Sequence, residues 1–300
     1  MIDKIQRAEA RSWVAGLNSS TGMASASSGG GRRDQKRGLR ALRRGLWFGL
    51  LAIVCSTAQA AISLSHQEAM RIGRKIWQNE CGGTVSGLTS WNAGENFASL
   101  GIGHFIWYPA GVRGPFEESF PPFVRYVEKR GAKLPELLLG RKSGACPWES
   151  RPAFLAAGSS QRMENLRTFL VDTIDLQADF MVERLRQALP KMLADAPAEE
   201  RGKIETRFNR LANRAHGCYA LIDYVNFKGE GVLETERYKG RGWGLLQVLE
   251  GMSDDSGASP LGEFADSAER VLGERVKNSP PERNEARWLP GWLKRVDTYR

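Results

Sequence analysis

The 300-residue chain is poor in the residues that carry metal and thiol chemistry, with four cysteines and three histidines. His66, His104 and His216 lie far apart, and "HGC" at 216–218 with Cys81 and His104 lacks the local ligand spacing of a zinc site. No G-x-S-x-G segment is present, which excludes a nucleophile elbow. "GRGWG" lacks the preceding strand and the lysine of a phosphate-binding loop. No cofactor is expected. No internal repeat and no linker interrupts the chain after Ala61. Cys81, Cys146 and Cys218 remain after the leader described next; in an oxidising compartment two could pair and one would be left over.

Charge is abundant but unevenly placed. The net charge of +9 suggests a nucleic-acid binder. However, residues 1–60 hold 10 Lys+Arg against 3 Asp+Glu, of 43 and 34 in the chain, leaving 33 and 31 in the rest. The basicity therefore sits in the leader, and no nucleic-acid partner is expected. "RRDQKRGLRALRR" reads as a cationic export region. "GLWFGLLAIVCS" follows, an apolar run of 12 residues, short of the roughly 20 that a spanning helix needs. "AQA" supplies small residues at Ala58 and Ala60, a cleavage site before Ala61. The reading is an extension and signal peptide over 1–60, a single domain over 61–300, and a periplasmic or secreted product. Contact with membrane is expected only through the leader.

The domain starts with a helix signal. Ser65 and Glu68 form a capping box in "SHQEAMRIGRKIWQNECGG". Ala69, Ile72, Gly73, Ile76 and Trp77 recur at helical spacing, and Gly82 and Gly83 stop the helix. Glu80 falls eleven residues after Ala69, about three turns on, at the polar end of this apolar stripe. An acid there should point inward and, by desolvation and the helix dipole, keep its proton. "TVSGLTSW" and "NFASLGIGHFIW" read as a β-hairpin turned at "NAGE", which carries a second acid, Glu95. Loops are expected over 109–160, with short helices near 121–130 and 135–139. One long or broken helix should run from Gln161 and end at Pro190. More helices are predicted at 199–214, 218–227, 243–252 and 260–276, and "WLPGWLKRVDTYR" should place its tryptophans outside the bundle.

Glycoside hydrolysis needs such an acid to protonate the leaving oxygen, and usually a second carboxylate or a positioned water nearby, while aromatics can stack on sugar rings. Trp91, Phe97, Phe105, Trp107 and Tyr108 supply the aromatics. A helix ending in Glu80, then a hairpin ending in "SLGIGH", resembles the phage-type lysozymes. The resemblance covers about 45 residues of the domain. It implies Glu80 as the catalytic acid and Ser99, where that family has threonine, as a substrate contact, followed by Gly101 to His104. Glu95 does not sit at the spacing of that family's second acid. "YKGRG" from Tyr238, followed by Gln247, resembles the cleft segment of plant-type chitinases, and "GLLQ" is similar to a segment of lytic transglycosylases. These imply Tyr238, Arg241 and Gln247 as substrate contacts. Glu230 in "NFKGEG" is a rival for the second carboxyl.

The expected fold is α+β, mainly helical, lysozyme-like, with a small hairpin beside a helical bundle. The expected function is cleavage of β-1,4 glycosidic bonds in peptidoglycan, by hydrolysis or by lytic transglycosylation. The catalytic residues would be Glu80 and Glu95, and the substrate contacts Ser99, His104, Glu230, Tyr238, Arg241 and Gln247. The alternatives are a chitinase- or chitosanase-like enzyme and a non-catalytic glycan-binding or scaffold protein. N-terminal sequencing of the exported chain should begin at Ala61. A product that still carries residues 45–60 would mean a retained anchor.

Overall fold

The computed structural model describes residues 62–139, 144–253 and 259–300. The leader expected over 1–60 lies outside them. The described chain is α+β and mainly helical, with ten helices and one three-stranded antiparallel sheet. No helix among the described residues is long and apolar enough to cross a membrane.

Helix α1, His66–Cys81, begins on the capping box, with both reciprocal bonds between Ser65 and Glu68 present. It ends at Gly82, whose φ of 59° is the left-handed conformation that glycine adopts without a side-chain clash. Its inward face of Ala69, Ile72, Gly73 and Ile76 is buried, as the spacing predicts.

The hairpin is instead a three-stranded meander. Strands β1 (Thr89–Ser90), β2 (Ala98–Leu100) and β3 (Phe105–Trp107) pair in sequence order. "NFASLGIGHFIW" splits into β2 and β3 because the chain reverses at Gly101–His104, with φ of 75° at Gly101 and 47° at His104. Leu100 then pairs with Phe105. Two helices follow, α2 (Phe120–Glu128) and α3 (Arg151–Ala156), the second not expected from sequence.

The helix expected from Gln161 to Pro190 is two helices, α4 (Gln161–Asp172) and α5 (Ile174–Asp195), broken at Thr173. Pro190 lies inside α5 rather than ending it. Leu189 and Met192 are fully buried on either side of it, so tertiary burial carries the helix past a missing backbone donor. Helices α6 (Arg201–Ala212), α7 (Ala215–Lys228), α8 (Leu245–Gly251), α9 (Pro260–Asn278) and α10 (Leu289–Asp297) complete the bundle. In α10 and the turn before it, Trp288 is exposed, but Trp292 packs edge-on against Phe227.

The sheet packs onto the helices through aromatics. Phe105 stacks on Phe123 of α2 at 5.0 Å and meets Phe180 of α5 edge-on at 5.4 Å. Gln177 of α5, fully buried, accepts from the Ile102 N–H at 2.8 Å and donates to the Leu170 carbonyl at 2.6 Å. A Cβ on Gly101 would stand 2.3 Å from the Gln177 Oε1, so the close approach and the positive φ both require glycine there. Cys81, Cys146 and Cys218 are buried and unpaired, so the disulfide considered from sequence does not form. Burial pushes the thiols up to about 12, about 12 and about 11 respectively.

Helices α1 and α5 meet at Gly73, where an added Cβ would lie 2.8 Å from the Ala178 Cβ. Gly73→Val forces a branched side chain into that contact. The expected loss is about 2 kcal/mol or more, read as a lower urea midpoint at unchanged slope. Unchanged stability would mean that the two helices separate freely here.

Candidate functional site

Glu80 is the penultimate residue of α1, and its side chain is 16% exposed. Its surroundings are polar, against the apolar setting expected. Oε1 accepts from the Arg295 Nη2 at 2.6 Å and from the Asn226 Nδ2 at 3.3 Å. Oε2 lies 3.5 Å from the His104 Nδ1. The other ring nitrogen of His104 lies 3.3 Å from the Gly87 carbonyl and 3.4 Å from the Ser90 hydroxyl. Four segments thus converge on one carboxylate: the end of α1, the turn between β2 and β3, α7 and α10.

Arg295 is held from behind by Asp223, which has no solvent exposure. The guanidinium donates from Nε to Oδ2 and from Nη2 to Oδ1, both at 2.8 Å. The Tyr299 hydroxyl adds a third bond to Oδ2 at 2.6 Å, and the Asn79 amide a fourth to Oδ1 at 3.3 Å. Burial alone would pull the Arg295 guanidinium down. The Glu80 charge and the bonds to Asp223 overcome this and hold it well above its usual range. Lys228, one turn beyond Tyr224 on α7, sits with its Nζ 3.2 Å from the centre of the Trp292 ring. Burial, then the Arg275 charge, push that ammonium well below its usual range.

Glu95 lies in the same electrostatic neighbourhood, feeling the charges of His104 and Glu80. Burial pushes its carboxyl up against the opposing bonds from Asn92. Its Oε2 is buried without a hydrogen-bond partner. Ser99 is buried in β2, opposite Ser90 and Ile106.

No family model, no curated protein and no solved structure matches this chain.

The remaining sequence candidates divide. The Tyr238 hydroxyl donates to the Glu285 Oε1 at 2.6 Å and accepts from Arg275 at 3.0 Å, inside a buried ionic cluster. Gln247 is turned inward, accepting from the Gly244 N–H at 2.9 Å and donating to the Gly231 carbonyl at 3.3 Å. It stitches the glycine loop together. Arg241 is exposed and lies 5.4 Å from the Trp243 ring centre. Glu230 is buried and paired with the Lys191 Nζ at 3.0 Å. Among the described residues, no group of His, Cys, Asp and Glu is placed to hold a metal ion.

Sequence reading missed Asp223, Asn226, Arg295 and Tyr299. Asp223 carried a signal, as the one acid in the apolar run "CYALIDYVNF" of α7. Arg295 carried none. It also missed Glu236, whose carboxyl is pushed up to about 7 by burial, then by the charge of Glu230. Unfolded, that group titrates near its ordinary 4.5. Between these values the unfolded chain has released a proton that the folded chain still holds. Its contribution to stability is therefore full at acid pH and falls as pH rises through about 7. Glu236→Gln should abolish this loss, so its melting temperature relative to wild type should rise between about pH 4 and about pH 8. A difference that stays flat with pH would show that Glu236 titrates as an ordinary surface acid.

Proposed function

We propose that the chain is an exported glycosidase or lytic transglycosylase that cleaves β-1,4 bonds of peptidoglycan, on a lysozyme-like fold, with Glu80 and Glu95 as its two carboxyl groups. The observation that carries this reading is the unlike treatment of the two acids. Glu95 is driven towards its protonated form by burial. Glu80 is locked in an ion pair at 2.6 Å. Glycoside cleavage needs one carboxyl that holds a proton for the leaving oxygen and one that is charged. The sequence assigned the proton to Glu80 on the expectation of an apolar setting. The surroundings favour the reverse division, with Glu95 as proton donor and Glu80 as the charged carboxylate that stabilises positive charge at the anomeric carbon. His104, Asn226 and Arg295 orient Glu80, and no residue of this scheme requires a cofactor.

One observation favours the binding-protein reading. Both Glu80 oxygens already have partners, and the cavities beyond Tyr108 and beside Lys191 are lined by neither Glu80 nor Glu95. Release of soluble fragments from purified peptidoglycan decides between them. Wild type should cleave. Glu80→Gln and Glu95→Gln should each lose about 10²- to 10⁴-fold while still binding glycan fragments. Cleavage by Glu80→Gln at the wild-type rate would remove the proposal. Wild type that binds peptidoglycan, chitin or chitosan but cleaves none of them would establish the binding module.

A further inference from the structure

A cavity of about 380 Å³ opens beyond the end of β3, within the range of small-ligand sites. Tyr108 and Phe116 form its aromatic side, and Arg113 and Glu118 bring charges of opposite sign. The loop that builds it is held at several points. The Cys146 N–H donates to the Tyr108 carbonyl at 2.8 Å, and the Tyr108 N–H donates to the Glu118 Oε1 at 2.9 Å. The Ile106 N–H donates to the Ser119 hydroxyl at 2.9 Å, and the Ser119 N–H returns to the Ile106 carbonyl at 3.1 Å. The Tyr108 hydroxyl donates to the Phe116 carbonyl at 3.3 Å. From the other side, the Thr235 hydroxyl donates to the Pro115 carbonyl at 2.7 Å.

Two features make this loop more than a folded turn. Glu118 is anchored through one carboxylate oxygen, while the Arg113 guanidinium forms no ion pair with it. Opposite charges that share a cavity without meeting leave room for a ligand with both an anionic and a cationic group, and a guanidinium suits a carboxylate in particular. The cavity also neighbours the segment that carries Glu95. Phe97, two residues after Glu95, packs edge-on against Tyr108 at 5.4 Å and against Phe116 at 5.9 Å.

We propose that this cavity is a subsite for the zwitterionic end of a short peptide, the substituent that peptidoglycan carries and chitin and chitosan lack. The peptide carboxylate lies on Arg113, its ammonium on Glu118, and its apolar part against Phe116. This rests on the glycan reading above and narrows it to a peptide-substituted glycan. The glycan strand would pass Glu80 and Glu95 while its peptide drops beyond Tyr108.

The test uses the mature chain and the free tripeptide L-Ala-γ-D-Glu-meso-diaminopimelate, followed by calorimetry. Wild type should bind it, and Arg113→Gln and Glu118→Gln should each weaken binding by about tenfold or more, since each removes one charge-assisted contact. Glutamine at 118 still accepts from the Tyr108 N–H, so the loop keeps its shape. Release of soluble fragments from purified peptidoglycan, run in parallel, separates this proposal from the reading it rests on. Tripeptide binding lost in Arg113→Gln, with no peptidoglycan cut by wild type or variant, upholds the subsite and removes the glycosidase. Peptidoglycan cleavage without tripeptide binding removes the subsite and leaves the glycosidase. Tripeptide binding that is unchanged in both variants also overturns the subsite.

Discussion

The fully buried carboxylate of Asp223 is the constraint on which the site depends. A charge without solvent in the middle of an apolar helix is tolerable only when it is paired and hydrogen-bonded. Four donors meet that demand: two from Arg295, the Tyr299 hydroxyl and the Asn79 amide. Satisfying Asp223 fixes the guanidinium, and the fixed guanidinium reaches Glu80 with the Nη2 that also serves Asp223. Helices α1, α7 and α10 are thereby joined through one planar group. Removing a single partner of such a pair leaves an uncompensated buried charge, at a cost of about 3–5 kcal/mol. The position of Glu80 is therefore tied to a buried ionic network.

Two glutamines perform matching tasks on the backbone. Gln177 grips the turn at Gly101–Gly103 from inside α5, and Gln247 grips the loop at Gly231 and Gly244 from the start of α8. Each buried amide both accepts and donates, so a tight turn can enter the core without leaving its polar groups unmatched. Glycine is required on the turn side of each contact. A Cβ on Gly231 would stand 2.0 Å from the Gln247 Oε1, as one on Gly101 would stand 2.3 Å from that of Gln177. Gly101 of "GIGH" and Gly231 of "GEG" are thus explained by packing. His104 is carried to Glu80 by the turn that Gln177 anchors.

The acids around this end of the molecule are sorted by partner. Glu230 has Lys191, Glu285 has Arg275 and Glu80 has Arg295. Glu95 and Glu236 are pushed up by burial instead. Carboxyl groups held apart in this way can differ in charge at one pH, which is the prerequisite for dividing acid and base roles.

By itself the sequence determined the local events. The capping box at Ser65, the stop at Gly82, the buried stripe of α1 and most helix positions follow from capping chemistry and period alone, because both ends of each interaction lie within a few residues. Glu80 was legible for the same reason: counting turns from Ala69 places it on the inward face. Its partners were not. Arg295 stands 215 residues away in an unremarkable helix, and no local pattern marks which distant cation will meet an inward acid. The tertiary structure alone decided that Glu80 would be ion-paired rather than in an apolar setting. It likewise turned Gln247 inward, left Arg241 on the surface and carried α5 through Pro190. In each case long-range burial outweighed the preference that the neighbouring residues express.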